Sequence, residues 1–225
     1  MPHAGAGAGA YRNWGKDLPA GIQACPVQLP GREHRQAEAP FSEVRPLVAQ
    51  LAHAVEAAVK PPYAVFGHSA GALAAFELAR EIRRLGGGEP VHLFVAGRPA
   101  PHIPLQQTRL AELSVNDLAS VLRRLGGTQE EMLADHEFLK LMQPLLSADF
   151  ALNEAYDYQF EPPLDIPITA LAATDDDLVD VGLMAAWEEH TRAGFQLRTF
   201  SGGHFAVLQR QSEVLACIAE ALRDH

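Results

Sequence analysis

Apolar residues recur along this chain with two alternating periods. Ile22–Leu29 (IQACPVQL) reads as a strand, and the turn Pro30-Gly31-Arg32 follows. Val44, Leu47, Val48, Leu51 and Val55 then fall on one face of a helix predicted over Ser42–Val59. Tyr63–Phe66 is a short apolar run. Ala70–Leu85 reads as a helix stopped by Gly86-Gly87-Gly88. Val91–Ala96, Ile168–Ala172 and Phe195–Phe200 read as further strands, and Ser212–Arg223 as a closing amphipathic helix. Strands that alternate with helices predict an α/β fold, with a mostly parallel sheet covered on both faces. The run Ala4–Ala10, AGAGAGA, reads as a loop in which backbones approach closely.

One block departs from the alternation. Residues 102–161 offer helices with their own caps and no strand. Ser114 with Asp117 opens one helix, and Thr128 with Glu131 forms a capping box for the next. Within one domain spanning 1–225, such an insertion is either a lid or an elaborated crossover that only covers the sheet; its position favours the lid.

Bulk properties narrow the class. The net charge of −10 argues against nucleic acid or an anionic membrane as the main partner. Arg80, Arg83 and Arg84 still offer a local basic patch that could dock an acidic protein. Two cysteines, Cys25 and Cys217, make no disulfide framework, and no Cys/His spacing suits zinc. No apolar run reaches a membrane span and no secretory signal is seen, so a cytoplasmic protein is the default expectation.

The chemistry centres on Phe66-Gly67-His68-Ser69-Ala70-Gly71. This is G-x-S-x-G directly after a predicted strand and before a predicted helix, the setting of a strained nucleophile elbow in the α/β-hydrolase fold. Ser69 is the candidate nucleophile, and the Ala70 amide can hold a developing oxyanion. A base should follow the last strand, where Ser201-Gly202-Gly203-His204-Phe205 supplies His204. His190, in the helix-like AAWEEHT, reads as a surface histidine, and His225 is terminal. The acid should end the preceding strand, where Asp175, Asp176 and Asp177 are adjacent and spacing alone leaves the choice open; Asp180 is a candidate helix cap.

These motifs together resemble the type II thioesterases that accompany polyketide synthases and nonribosomal peptide synthetases. The resemblance rests on Pro2-His3-Ala4-Gly5-Ala6-Gly7, Tyr11-Arg12-Asn13-Trp14, Val27-Gln28-Leu29-Pro30-Gly31-Arg32, Phe66–Gly71, Leu93-Phe94-Val95-Ala96-Gly97-Arg98 and Gly202-Gly203-His204-Phe205. It implies that residues 2–7 form the oxyanion loop, with Ala4 the second amide donor. It also implies that Asp176, three residues before Val179, is the triad acid; the family's usual proline is Asp177 here. The implied activity is hydrolysis of acyl groups from the phosphopantetheine arm of an acyl or peptidyl carrier protein, with no cofactor or metal. A carboxylesterase or medium-chain fatty acyl thioesterase is the alternative within enzymes. A catalytically impaired carrier-binding module is the alternative outside them. The family also places a strand before the oxyanion loop. That strand is missing from this sequence, which is expected to begin downstream of the natural start.

Overall fold

The computed structural model describes residues 1–105 and 109–225. In chain order its helices and strands are α1 (Trp14–Asp17), α2 (Val44–Ala58), β1 (Ala64–His68), α3 (Ala70–Leu85), β2 (His92–Ala96), α4 (Val115–Leu125), α5 (Glu130–Ala134), α6 (His136–Glu154), β3 (Ile168–Ala173), α7 (Val181–Ala185), β4 (Phe195–Phe200), α8 (Ala206–Gln209) and α9 (Gln211–Ala221). The strands form one parallel sheet in the order β1-β2-β3-β4.

Strand alternation sends neighbouring side chains to opposite faces, and both faces are covered. Leu93 and Val95 of β2, with Ile168, Ala170 and Ala172 of β3, join one core with α2 and α3. Phe94, Ala96, Leu171 and Ala173 join a second core with Tyr11, Trp14 and α9. Twelve of the sixteen residues of α3 are buried, and the alanines among them let the helix lie close to the strands. Its end is an αL glycine, Gly86, whose amide donates to the Arg83 and Ile82 carbonyls.

β1 stands at one edge, and no strand precedes it among the described residues. Two of its outward backbone groups are satisfied by Met1, which donates to Phe66 O at 2.7 Å and accepts from His68 N at 3.2 Å.

Several expectations are corrected. Ile22–Leu29 is not a strand: no strand lies alongside to pair with it, and Pro26 in its middle has no N–H to give a ladder. Thr128 does not cap a helix; α5 starts later, from Gln129, without a side-chain cap. Asp135 instead caps α6, its Oδ1 accepting from the amides of Glu137 and Phe138 at 3.0 Å. Ser114 caps α4 through the Asp117 amide as expected. Helices α4, α5 and α6, with Leu110 from the turn before them, build a third core of Leu110, Leu118, Leu122, Leu133, Leu139, Leu146 and Phe150. Residues 106–108, inside the expected 102–161 insertion, lie outside the described residues.

Candidate active site

Three loops at the carboxyl ends of the parallel strands hold the candidate residues Ser69, Asp176 and His204, the usual place for a site in an open α/β sheet. The first is the turn from β1 into α3. Ser69 sits there at φ +56°, ψ −121°, a conformation that costs a non-glycine residue about 1–3 kcal/mol. The flanking glycines are required sterically. A Cβ on Gly67 would run into the Gly71 carbonyl and lie 2.6 Å from Ala72 Cα, and one on Gly71 would meet the Met1 and Pro2 carbonyls at 2.5 Å. The turn is pinned by Ser69 N donating to Ala96 O at 2.8 Å. Ala70 is the first residue of α3, where amides have no acceptor within the helix.

The second and third loops follow β3 and β4. His204 Nδ1 donates to Asp176 Oδ2 at 2.8 Å, and both residues are buried. Asp176 Oδ1 accepts from Leu178 N at 2.9 Å, which fixes the carboxylate plane. The neighbouring aspartates have other partners. Asp175 is exposed and receives the Gly202 amide and the Thr174 hydroxyl; Asp177 is exposed. Asp180 caps α7 through the Leu183 amide.

Ser69, Asp176, His204 and Ala4 all line one cavity of about 790 Å³. Its far wall comes from the helical block: Leu110, Leu122, Leu125, Met132, Phe138, Met142, Leu146 and Phe150. The chamber is thus chemical at one end and apolar at the other. Gly127, between α4 and α5, packs so tightly over Phe205 that a Cβ there would lie 2.7 Å from the ring, which seats the block beside the His204 loop.

Some residues at the site had no role in the sequence pattern. His68 is fully buried and donates from Nε2 to the His204 carbonyl at 2.9 Å; burial holds its pKa well below the ordinary histidine value. His3, packed edge-on against His68 and Phe205, is lowered to about 4 by burial first and then by its electrostatic neighbours His204 and Arg32. Asp149 and Arg32 form a buried ion pair at 2.8 Å. The legible signal for Asp149 was an acid on the buried face of α6, three and four residues beyond Leu146 and Leu145.

Two surface expectations are overturned. His190 is buried: it stacks edge-on with Phe76 and Trp187 and shares a 2.8 Å hydrogen bond with His102, and burial lowers its pKa to about 4. Arg80, Arg83 and Arg84 are no free basic patch. Arg80 is buried against Glu77 and Glu161; Arg83 pairs with Glu161, and Arg84 with Glu81 and Glu161.

Fold and site together define an α/β hydrolase with a serine elbow. Comparison with known proteins carries this further. The thioesterase domain model matches residues 1–222, and the chain belongs to that family. It is a thioesterase, a hydrolase of the serine type. Its sequence is 38% identical over 223 residues to the gramicidin S biosynthesis protein GrsT of Aneurinibacillus migulanus, covering 99% of this chain and 87% of that one. Its structure is similar to RedJ, a thioesterase from the prodiginine biosynthetic pathway in Streptomyces coelicolor, with TM-score 0.93, 36% identity, and 98% and 88% of the two chains covered. It is also similar to BorB, a type II thioesterase from the borrelidin biosynthetic cluster, with TM-score 0.90, 39% identity, and 99% and 90% covered. No helix among the described residues is long and apolar enough to cross a membrane.

Proposed function

We infer that the chain removes acyl groups from the phosphopantetheine thiol of acyl or peptidyl carrier proteins in polyketide or nonribosomal peptide assembly, through a Ser69–His204–Asp176 triad. The observation that carries the reading is the buried His204–Asp176 hydrogen bond at 2.8 Å, on the cavity that the strained Ser69 also lines. The pathways named for RedJ, BorB and GrsT support the substrate class.

With Nδ1 engaged by Asp176, the imidazole has Nε2 to take the Ser69 proton as Oγ attacks the thioester carbonyl. Asp176 keeps the tautomer and balances the imidazolium charge. The Ala70 amide, with the Ala4 amide from the facing loop, receives the oxyanion. The thiol leaves with the proton returned by His204. Water, deprotonated by the same ring, then attacks the acyl-Ser69 carbonyl, and collapse of the second tetrahedral intermediate frees the acid and restores Ser69. The chain's own groups suffice for each step. The helical block between 102 and 161 acts as lid and acyl chamber, its leucines and phenylalanines taking the chain of the acyl group.

The test is hydrolysis of an acyl-carrier thioester beside the matching oxygen ester. Faster turnover of the carrier thioester, abolished by Ser69→Ala, supports the reading. Preference for the free oxygen ester would favour a carboxylesterase, and equal turnover of free fatty acyl thioesters a medium-chain thioesterase. Carrier binding without any turnover would leave a binding module.

A further inference from the structure

The loop that faces Ser69 is held from two sides. The segment Gln28–Glu33 holds its far half: Ala8 N donates to Gln28 Oε1 at 2.8 Å and Gly9 N to Glu33 Oε1 at 2.9 Å. Glu33 adopts φ +49° to reach it, and a Cβ on Gly7 would collide with that same carboxylate. The near half, beside Ala4, is held differently. Gly5 N donates to Asp149 Oδ2 at 2.7 Å, and Asp149 belongs to α6 of the helical block. Its other oxygen receives Arg32 Nη2 at 2.8 Å, while Arg32 Nη1 donates to Ala6 O at 3.1 Å. Arg32 is 5% exposed and so is Asp149. Gly5 is at φ +77°, and Leu146 of the same helix packs where its side chain would be, 2.7 Å from a Cβ.

We propose that Arg32 and Asp149 are positioning residues for the oxyanion site: α6 sets the place of the Ala4 amide through the Asp149–Gly5 hydrogen bond, and Arg32 locks that contact to Ala6. The inference rests on the reading of Ala4 as an oxyanion donor. It adds that the helical block does more than wall the chamber, because the loop opposite the nucleophile, tied to β1 at Met1, is registered at Gly5 on the block. A buried carboxylate is a costly anchor, and burial raises its pKa even with Arg32 beside it. Its acceptor oxygens go to one backbone amide and one cation, both on or against this loop. A donor displaced from the oxyanion costs about 100-fold in kcat and leaves ground-state binding unaffected, so the effect should appear in kcat and not in KM.

The experiment compares wild type, Asp149→Asn, Arg32→Lys and Ser69→Ala on an acyl N-acetylcysteamine thioester and on a p-nitrophenyl ester of the same acid. Inhibition by the matching trifluoromethyl ketone, whose adduct needs the oxyanion donors, is measured in parallel. Expected for folded Asp149→Asn is a kcat loss of about 30- to 100-fold on both substrates with KM within about twofold, and a Ki for the ketone raised in the same proportion. Arg32→Lys should lose about 10-fold on the same pattern. A kcat within about threefold of wild type, a loss confined to KM, or a kcat loss without change in Ki would overturn the proposal. If Asp149→Asn is unfolded at the assay temperature, Asp149→Glu, which keeps the charge and moves the acceptor by one methylene, is judged by the same thresholds. The ester arm separates the two levels: wild type active on the ester but not on the thioester defeats the substrate assignment and leaves this test intact.

Discussion

The sheet with its flanking helices and the block of α4, α5 and α6 solve the folding problem differently. The sheet buries both faces at its centre, where every residue of β2 and β3 is buried. The block gathers seven buried side chains into a core of its own and leaves Met132 and Leu141 exposed at its surface. Its own ion pairs Arg123–Glu130 and Lys140–Glu137 are solvent-exposed and worth little; its buried pair, Asp149 with Arg32, ties it to the loop facing Ser69. Ser69, Asp176 and His204 all follow strands of the sheet, while most of the apolar chamber wall belongs to the block. The candidate triad therefore sits on the densely packed region, and most of the apolar wall on the region with less core behind it, the division expected if the first must be placed to within a fraction of an ångström and the second must adapt.

Substitutions can break or sharpen that contrast. The largest expected effects are at the strand ends. Ser69→Ala should lower thioester turnover by about 10⁴-fold or more, with the thermal midpoint near that of wild type. Asp176→Asn, which leaves the imidazole in the wrong tautomer, should cost about 10⁴-fold in kcat, measured under saturating substrate. Stability effects come next. Leu171→Ala, at a fully buried sheet position, should lower the unfolding free energy by about 2–5 kcal/mol in denaturant titration. Leu122→Ala in the block should cost about 1–3 kcal/mol, and hydrogen exchange should rise in α4 and α6 before it rises in the strands. Equal exchange in both regions would erase the contrast.

A pH effect should be smaller. His3, His92 and His190 are held neutral, each near about 4 and each chiefly by burial. Their folded pKa lies below the unfolded value, so the unfolded chain binds more protons between the two. Stability should then fall as pH drops from about 6.5 toward 4, by up to about 1.4 kcal/mol per pH unit for each histidine. His190→Gln should flatten that slope in urea titrations at stepped pH. The smallest expected effect is on selectivity: Met142→Trp, on the chamber wall, should shift preference toward shorter acyl chains by about 10-fold in kcat/KM ratios, with little change for a two-carbon acyl group.

Much of this arrangement was legible in the sequence because its signals are local. The helix Ala70–Leu85 and the strand Phe195–Phe200 were bounded to the residue by period, glycines and the elbow motif. Position 176 stood out among three aspartates only by resemblance; in the structure it is the buried one that receives His204. What escaped depended on distant pairing. Ile22–Leu29 has strand-like apolar content but no neighbour strand, and a local run cannot supply one. Arg80 and Arg84 were read as free although Glu77 and Glu81 stand three residues before them; the decisive partner, Glu161, is far along the chain. His190 shares a face with Trp187 three positions earlier, a sign of burial that the acidic residues between them obscured.

Fluorophosphonate labelling followed by peptide mass spectrometry tests most directly whether residues 69, 176 and 204 act together. The expected outcome is a single adduct on Ser69, absent in Ser69→Ala and formed at least about 100-fold more slowly in Asp176→Asn and His204→Ala. An adduct on another residue, or an unchanged labelling rate in folded Asp176→Asn and His204→Ala, would contradict it.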